Sequence, residues 1–84
     1  MNAKELFKEE GYINVREDDD YVIYKRNTDE IEVDITFGQQ LERFFIKTEK
    51  VGVTYLHPYS SISVNLLKAI NKQVEELGWD REEI

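Results

Sequence analysis

The sequence predicts an α+β domain of two layers: an antiparallel meander of four to five strands, with an N-terminal and a C-terminal helix packed on one face. Three observations carry this. Helical spacing of apolar residues is confined to the two ends, and each run stops at a glycine followed by an aromatic residue, Gly11–Tyr12 and Gly78–Trp79. Between the ends, apolar and polar residues alternate in YINVR, YVIYKR, EIEVDITF, ERFFIKT and VGVTYL. That alternation stays in phase through a series of hairpins, as a sheet with one dry face requires.

The first helix begins at Asn2, whose side chain can cap it, with Glu5 three residues on. Leu6 and Phe7 share its apolar side. Gly11 stops it in a left-handed conformation, and Tyr12 is expected to fold back on Phe7. YINVR, spanning residues 12–16, follows as the least regular of the strands.

An even hairpin loop pairs residues whose numbers sum to an odd constant, and directly paired residues share a face. On that rule Val15 is set against Val22 and Ile13 against Tyr24, around a Glu17–Asp20 loop. Val22 then faces Val33 and Tyr24 faces Ile31, with Lys25 meeting Glu30 and Asn27–Thr28 at the tip. Ile35 faces Phe44 and Val33 faces Ile46. Ile46 faces Val53 and Thr48 faces Val51, with the turn at Glu49–Lys50. The dry face would hold Ile13, Val15, Val22, Tyr24, Ile31, Val33, Ile35, Phe37, Phe44, Ile46, Val53 and Tyr55, and Glu32 would stand opposite Lys47 on the other face. His57–Pro58 ends the sheet, because proline cannot donate to a ladder.

The last helix starts after Ser63, with Ile62 placed to staple onto Leu67. Leu66, Leu67, Ile70, Val74 and Leu77 form its apolar stripe. Gly78 terminates it, Trp79 folds back on Val74, and residues 80–84 form a frayed tail. The segments LFKEEGY (6–12) and LLKAINKQVEELGW (66–79) resemble the termini of small, acidic, mostly uncharacterised proteins from phages and prophages of Gram-positive bacteria. The resemblance implies a cytoplasmic, phage-encoded accessory protein, in a group that includes host-protein inhibitors. It brings no active-site residues.

Composition narrows the function classes. The 84 residues make one domain with a thin core, since a chain this size buries only about 60–65% of the surface its unfolded form exposes. Without cysteine there is no disulfide, thiolate or zinc–cysteine chemistry, as fits a reducing compartment. The charged N-terminus does not read as a signal peptide, and no apolar run reaches membrane-spanning length. The net charge of −7 lies wholly in the ends: −4 over residues 1–20, −3 over 71–84, and zero between. That disfavours nucleic acid and anionic membranes as partners.

The run REDDDYV at 16–22 places Asp18–Asp20 between two strands. A calcium loop would need alternating oxygen ligands and a glycine that this segment lacks, so a turn is the expected role, with no metal and no other cofactor. A small metal-dependent hydrolase or nuclease using Asp18–Asp20 is the alternative. His57 has Ser60 and Ser61 near it in sequence, but the three also suit a loop leading into a helix cap. No catalytic group is assigned, and the chain reads as a non-enzymatic interaction protein.

Two surfaces could serve that role. Register places Tyr21, Ile23, Phe45 and Leu56 on the outer face of the sheet with Leu41, beside Arg43 and Lys47, and sets Tyr21, Asp34, Phe45 and Thr54 in one row. Glu9, Glu10, Glu75 and Glu76 form an acidic layer at the helix C-termini, where the helix dipole disfavours them. A protein partner is expected at one of these, and a second copy could pair through the outer face or a strand edge.

Overall fold

A computed structural model describes residues 1–28, 31–50 and 62–79, in the order α1 (Ala3–Glu9), β1 (Ile13–Glu17), β2 (Tyr21–Asn27), β3 (Ile31–Gly38), β4 (Arg43–Lys50) and α2 (Val64–Glu76). The four strands pair antiparallel in chain order, and both helices contribute to a core on one face of the sheet. YINVR, the least regular of the expected strands, forms β1, whereas VGVTYL lies outside the described residues, as do His57, Pro58 and the tail.

Both helix ends follow local backbone chemistry. The Asn2 side chain accepts from Glu5 N at 2.9 Å, and the Ser63 hydroxyl accepts from Leu66 N at 3.0 Å. Gly11 (φ 88) and Gly78 (φ 77) both adopt the left-handed conformation. At each end the glycine N–H and the following aromatic N–H bond back into the last turn: Gly11 to Lys8 and Tyr12 to Phe7, then Gly78 to Glu75 and Trp79 to Val74.

The helices run antiparallel, and their terminal carboxylates are exchanged. The Glu76 carboxylate accepts from Ala3 N at 2.6 Å, so the end of α2 caps the start of α1. At the opposite end, the Ser63 hydroxyl donates to Glu10 at 2.8 Å, so the end of α1 meets the cap of α2. Each of these acids is unfavourable for its own helix dipole and favourable for its neighbour's. The apolar stripe of α2 is rotated from expectation. Leu66, Ala69, Ile70 and Gln73 are buried, Val74 and Leu77 pack at the margin, and Leu67 is half exposed. Ala69 lets the helix approach closely, and Gln73 is buried because it accepts a hydrogen bond from the Tyr24 hydroxyl at 2.6 Å.

Phe7 stacks on Tyr24 with ring centroids 3.8 Å apart, and Phe37 meets both rings edge-on. Val22, Ile35, Leu66 and Ile70 close the cluster. Burial, with the nearby Glu17 and Glu76 charges, pushes the Tyr24 phenol well above its ordinary pKa, so it remains a donor.

Strand parity holds from β2 to β4, but the register does not. Val22 faces Phe37 and Tyr24 faces Ile35, a slip of four from the expected partners Val33 and Ile31. Asn27 pairs with Glu32, and Thr28 donates its N–H to Ile31 O while its hydroxyl bonds the Ile31 backbone, so Asn27–Thr28 is not the tip of the hairpin. Lys25 therefore stands across from Asp34, not Glu30. Ile35 pairs with Ile46 and Phe37 with Phe44, a slip of two, because the loop spans Gln39–Glu42 and turns through Glu42 at φ 51. Glu32 then faces Glu49, Asp34 faces Lys47, and Glu49 and Lys50 belong to β4 rather than to a turn. Even slips move partners without changing faces. Phe44 and Ile46 lie on the helix side as expected, yet the described elements leave Phe44 44% exposed.

β1 breaks parity. Ile13 stands across from Lys25 and Arg16 across from Ile23, while Asn14 meets Tyr24 and Glu17 meets Val22. Ile13 and Val15 are therefore not core residues; they are 68% and 55% exposed. A bulge at Val15 causes the inversion, and the Asn14 side-chain amide spans it by donating to the carbonyls of Arg16 and Ile23. Glu17, turned to the helix side, receives Lys4 of α1 at 2.6 Å.

Candidate functional site

The face of the sheet away from the helices is assembled in rows across the strands. Tyr21, Gly38 and Arg43 form one row, Ile23, Thr36 and Phe45 the next, and Lys25, Asp34 and Lys47 the third. The expected alignment of Tyr21, Asp34 and Phe45 does not form, because the register slips separate them; Thr54 and Leu56 lie outside the described residues. Tyr21 and Phe45 still converge, from either side of Gly38. A Cβ built on Gly38 would sit 3.9 Å from each ring, in ordinary van der Waals contact with both, so the two aromatics flank the strand at this position.

Their convergence makes a depression of about 330 Å³, lined by Asp20, Tyr21, Gly38, Gln40, Leu41 and Phe45. Leu41 is 71% exposed and Phe45 54% exposed, and none of the described elements packs over them. Ile23 is half-buried beside them, whereas Arg43 and Lys47 are exposed at the margin. The sequence points to Tyr21, Leu41 and Phe45 on this face and singles out Asp20 only in the Asp18–Asp20 cluster; it does not bring Asp20, Gly38 and Gln40 to them. The glycine flanked by two aromatic strand neighbours was the available signal, and it needs the correct register to be visible.

The Asp18–Asp20 turn forms one wall. Asp18 accepts from the N–H groups of Asp20 and Tyr21, at 2.9 and 2.8 Å, and from Arg16 Nε at 2.6 Å. The Arg16 bond, then the two backbone bonds, hold its carboxyl below the ordinary aspartate pKa. The Arg16 guanidinium also lies 4.9 Å from the centroid of the Tyr21 ring. Gln39 ties the β3–β4 loop to the same turn, donating from its backbone to Asp20 O and from its side chain to Asp18 O. The turn is thus Asp18–Asp20, one residue shorter than the expected Glu17–Asp20 loop because Glu17 pairs with Val22 in β1, and it fixes Tyr21 and the loop bearing Leu41. Asp18 is committed to it, and among the described residues no three His, Cys, Asp or Glu side chains are grouped to hold a metal ion.

Beyond the depression the face carries a charge ladder. Lys25 reaches Glu32 at 2.7 Å and Asp34 at 3.8 Å, and Lys47 reaches Glu49 at 2.8 Å. The Glu32 bond raises the Lys25 pKa, and the Glu49 bond raises that of Lys47. The Lys25 pairs are half-buried and the Lys47–Glu49 pair is exposed, where it stabilises little; together they neutralise the middle of the face.

The acidic layer divides. Glu10 and Glu76 are engaged in holding the helices together. Glu75 is 3.5 Å from Lys72, and Glu9 is exposed on α1. Only part of that layer remains as a charged surface. No protein-family model matches the chain, and neither a curated protein nor a solved structure matches it.

Proposed function

We propose that this chain is a non-enzymatic protein-interaction module that binds a partner protein through the open face of its sheet. The observation that carries this reading is the depression between Tyr21 and Phe45, largely apolar within, open to solvent, and held in place by the Tyr21 N–H donating to the Asp18 carboxylate and the Gln39 side chain donating to Asp18 O. Exposed aromatic and aliphatic groups on a rigid strand platform are the usual anchors of protein interfaces, because they bury much area at small entropic cost. Arg43 and Lys47 would form a polar margin. The glycine–aromatic helix ends support placing the module among cytoplasmic accessory proteins of phages or prophages. Among the described residues no helix is long and apolar enough to cross a membrane.

The test compares baits in host lysate. Phe45→Asp should lose a protein that the unaltered chain captures. Leu67→Asp, on the exposed side of α2, should retain it. Capture that survives Phe45→Asp would move the interface away from this face.

A further inference from the structure

We infer that the depression on the open sheet face receives an apolar side chain from a partner segment that carries lysine or arginine beside it. This deepens the reading of that face as an interaction surface and rests on it. Among the described residues the lining is apolar at Tyr21, Leu41 and Phe45, and Asp20 is its charged member. The nearest cation on β1, Arg16, is bonded to Asp18 and stacked on Tyr21, and it attracts Asp20 through charge alone, without a hydrogen bond or ion pair. Among the described residues no side chain hydrogen-bonds or ion-pairs with the Asp20 carboxylate; its backbone, not its side chain, binds Gln39 and Asp18. Asp19, exposed in the same turn, adds a second negative charge. Arg43 shares a row with Tyr21 but is not part of the lining, so the charge met inside the depression is that of Asp20. The volume of about 330 Å³ is at the small end of binding sites, and its open form fits an inserted side chain better than an enclosed small molecule. A net charge of −7 on the whole chain favours encounter with a cationic segment.

The experiment uses the full chain labelled with ¹⁵N, and three acetylated, amidated pentapeptides: Gly-Arg-Leu-Lys-Gly, Gly-Gln-Leu-Gln-Gly and Gly-Glu-Leu-Glu-Gly. At low salt the cationic peptide should shift the amides of Tyr21, Gly38, Leu41 and Phe45 and bind about three- to fivefold more tightly than the neutral one, the range of an exposed ion pair. Asp20→Asn should remove that preference while leaving the neutral peptide unaffected. Equal affinity for all three peptides overturns the inference and leaves the interaction surface standing. Absence of shifts at these four amides with every peptide, or shifts that persist unchanged in Phe45→Asp, overturns both.

Discussion

The two faces of the sheet use aromatic residues in opposite ways. On the helix side, Phe7, Tyr24 and Phe37 contact one another, are fully buried, and leave no polar atom without a partner, since the Tyr24 hydroxyl is taken by Gln73. On the open side, Tyr21 and Phe45 flank Gly38 about half exposed, walled by a hydrogen-bonded turn and followed by a neutralised charge ladder. Alternation assigns aromatics to both faces alike. What separates them is cover: burial converts ring area into stability, whereas the same area left open is available to a partner.

Substitutions on each side should therefore have unequal costs. Phe7→Ala removes a ring from the centre of the cluster and should lower unfolding free energy by about 3–5 kcal/mol, read from urea denaturation. A cost of less than about 1 kcal/mol would mean the helix-side cluster is not the stabilising core. Tyr24→Phe keeps the ring but strands the buried Gln73 carbonyl, and should cost about 1–3 kcal/mol. If it is neutral, the residue's contribution is packing alone. Gly78→Ala should cost about 1 kcal/mol: nothing lies within 4 Å of the added Cβ, so the penalty comes from φ 77 rather than from a clash. A Gly78→Asn variant should be milder, which distinguishes backbone strain from lost contacts.

On the other side, Phe45→Asp should change stability by no more than about 0.5 kcal/mol, since the ring is more than half exposed. A larger loss would show that the open face is part of the core. The smallest effect concerns the turn. Asp18 should titrate below an ordinary aspartate, and Arg16→Ala should move its midpoint upward, as followed by carboxyl NMR. Because the folded-state pKa is depressed, any stability it contributes is present above the unfolded value and fades as pH falls through the folded one.

The helix pair adds a second contrast, between where a charge sits in the chain and where it sits in space. Glu10 and Glu76 are misplaced for their own helices, and sequence alone reads them as solvating charge or as an acidic surface. Antiparallel packing brings each to the opposite helix's N-terminus, where it accepts from Ala3 N or from the Ser63 hydroxyl. Much of what looked like an acidic site is thus a pair of exchanged caps.

From local order alone one can read the α+β class, the element sequence, both capped helix starts, both glycine–aromatic stops, and the facing of β2, β3 and β4. These depend on contacts within a few residues or on a two-residue repeat, and such signals survive without knowledge of the partner strand. Register was not legible, because slips of two or four preserve parity and so leave the alternation unchanged; the choice came from Thr28 bonding Ile31 in one hairpin and Gln39 anchoring the next. Inversion of β1, burial of Gln73, exchange of Glu10 and Glu76, and the meeting of Tyr21 with Phe45 across Gly38 belong to tertiary structure. Each joins groups distant in the chain, and the energy that selects it exists only once those groups are packed together.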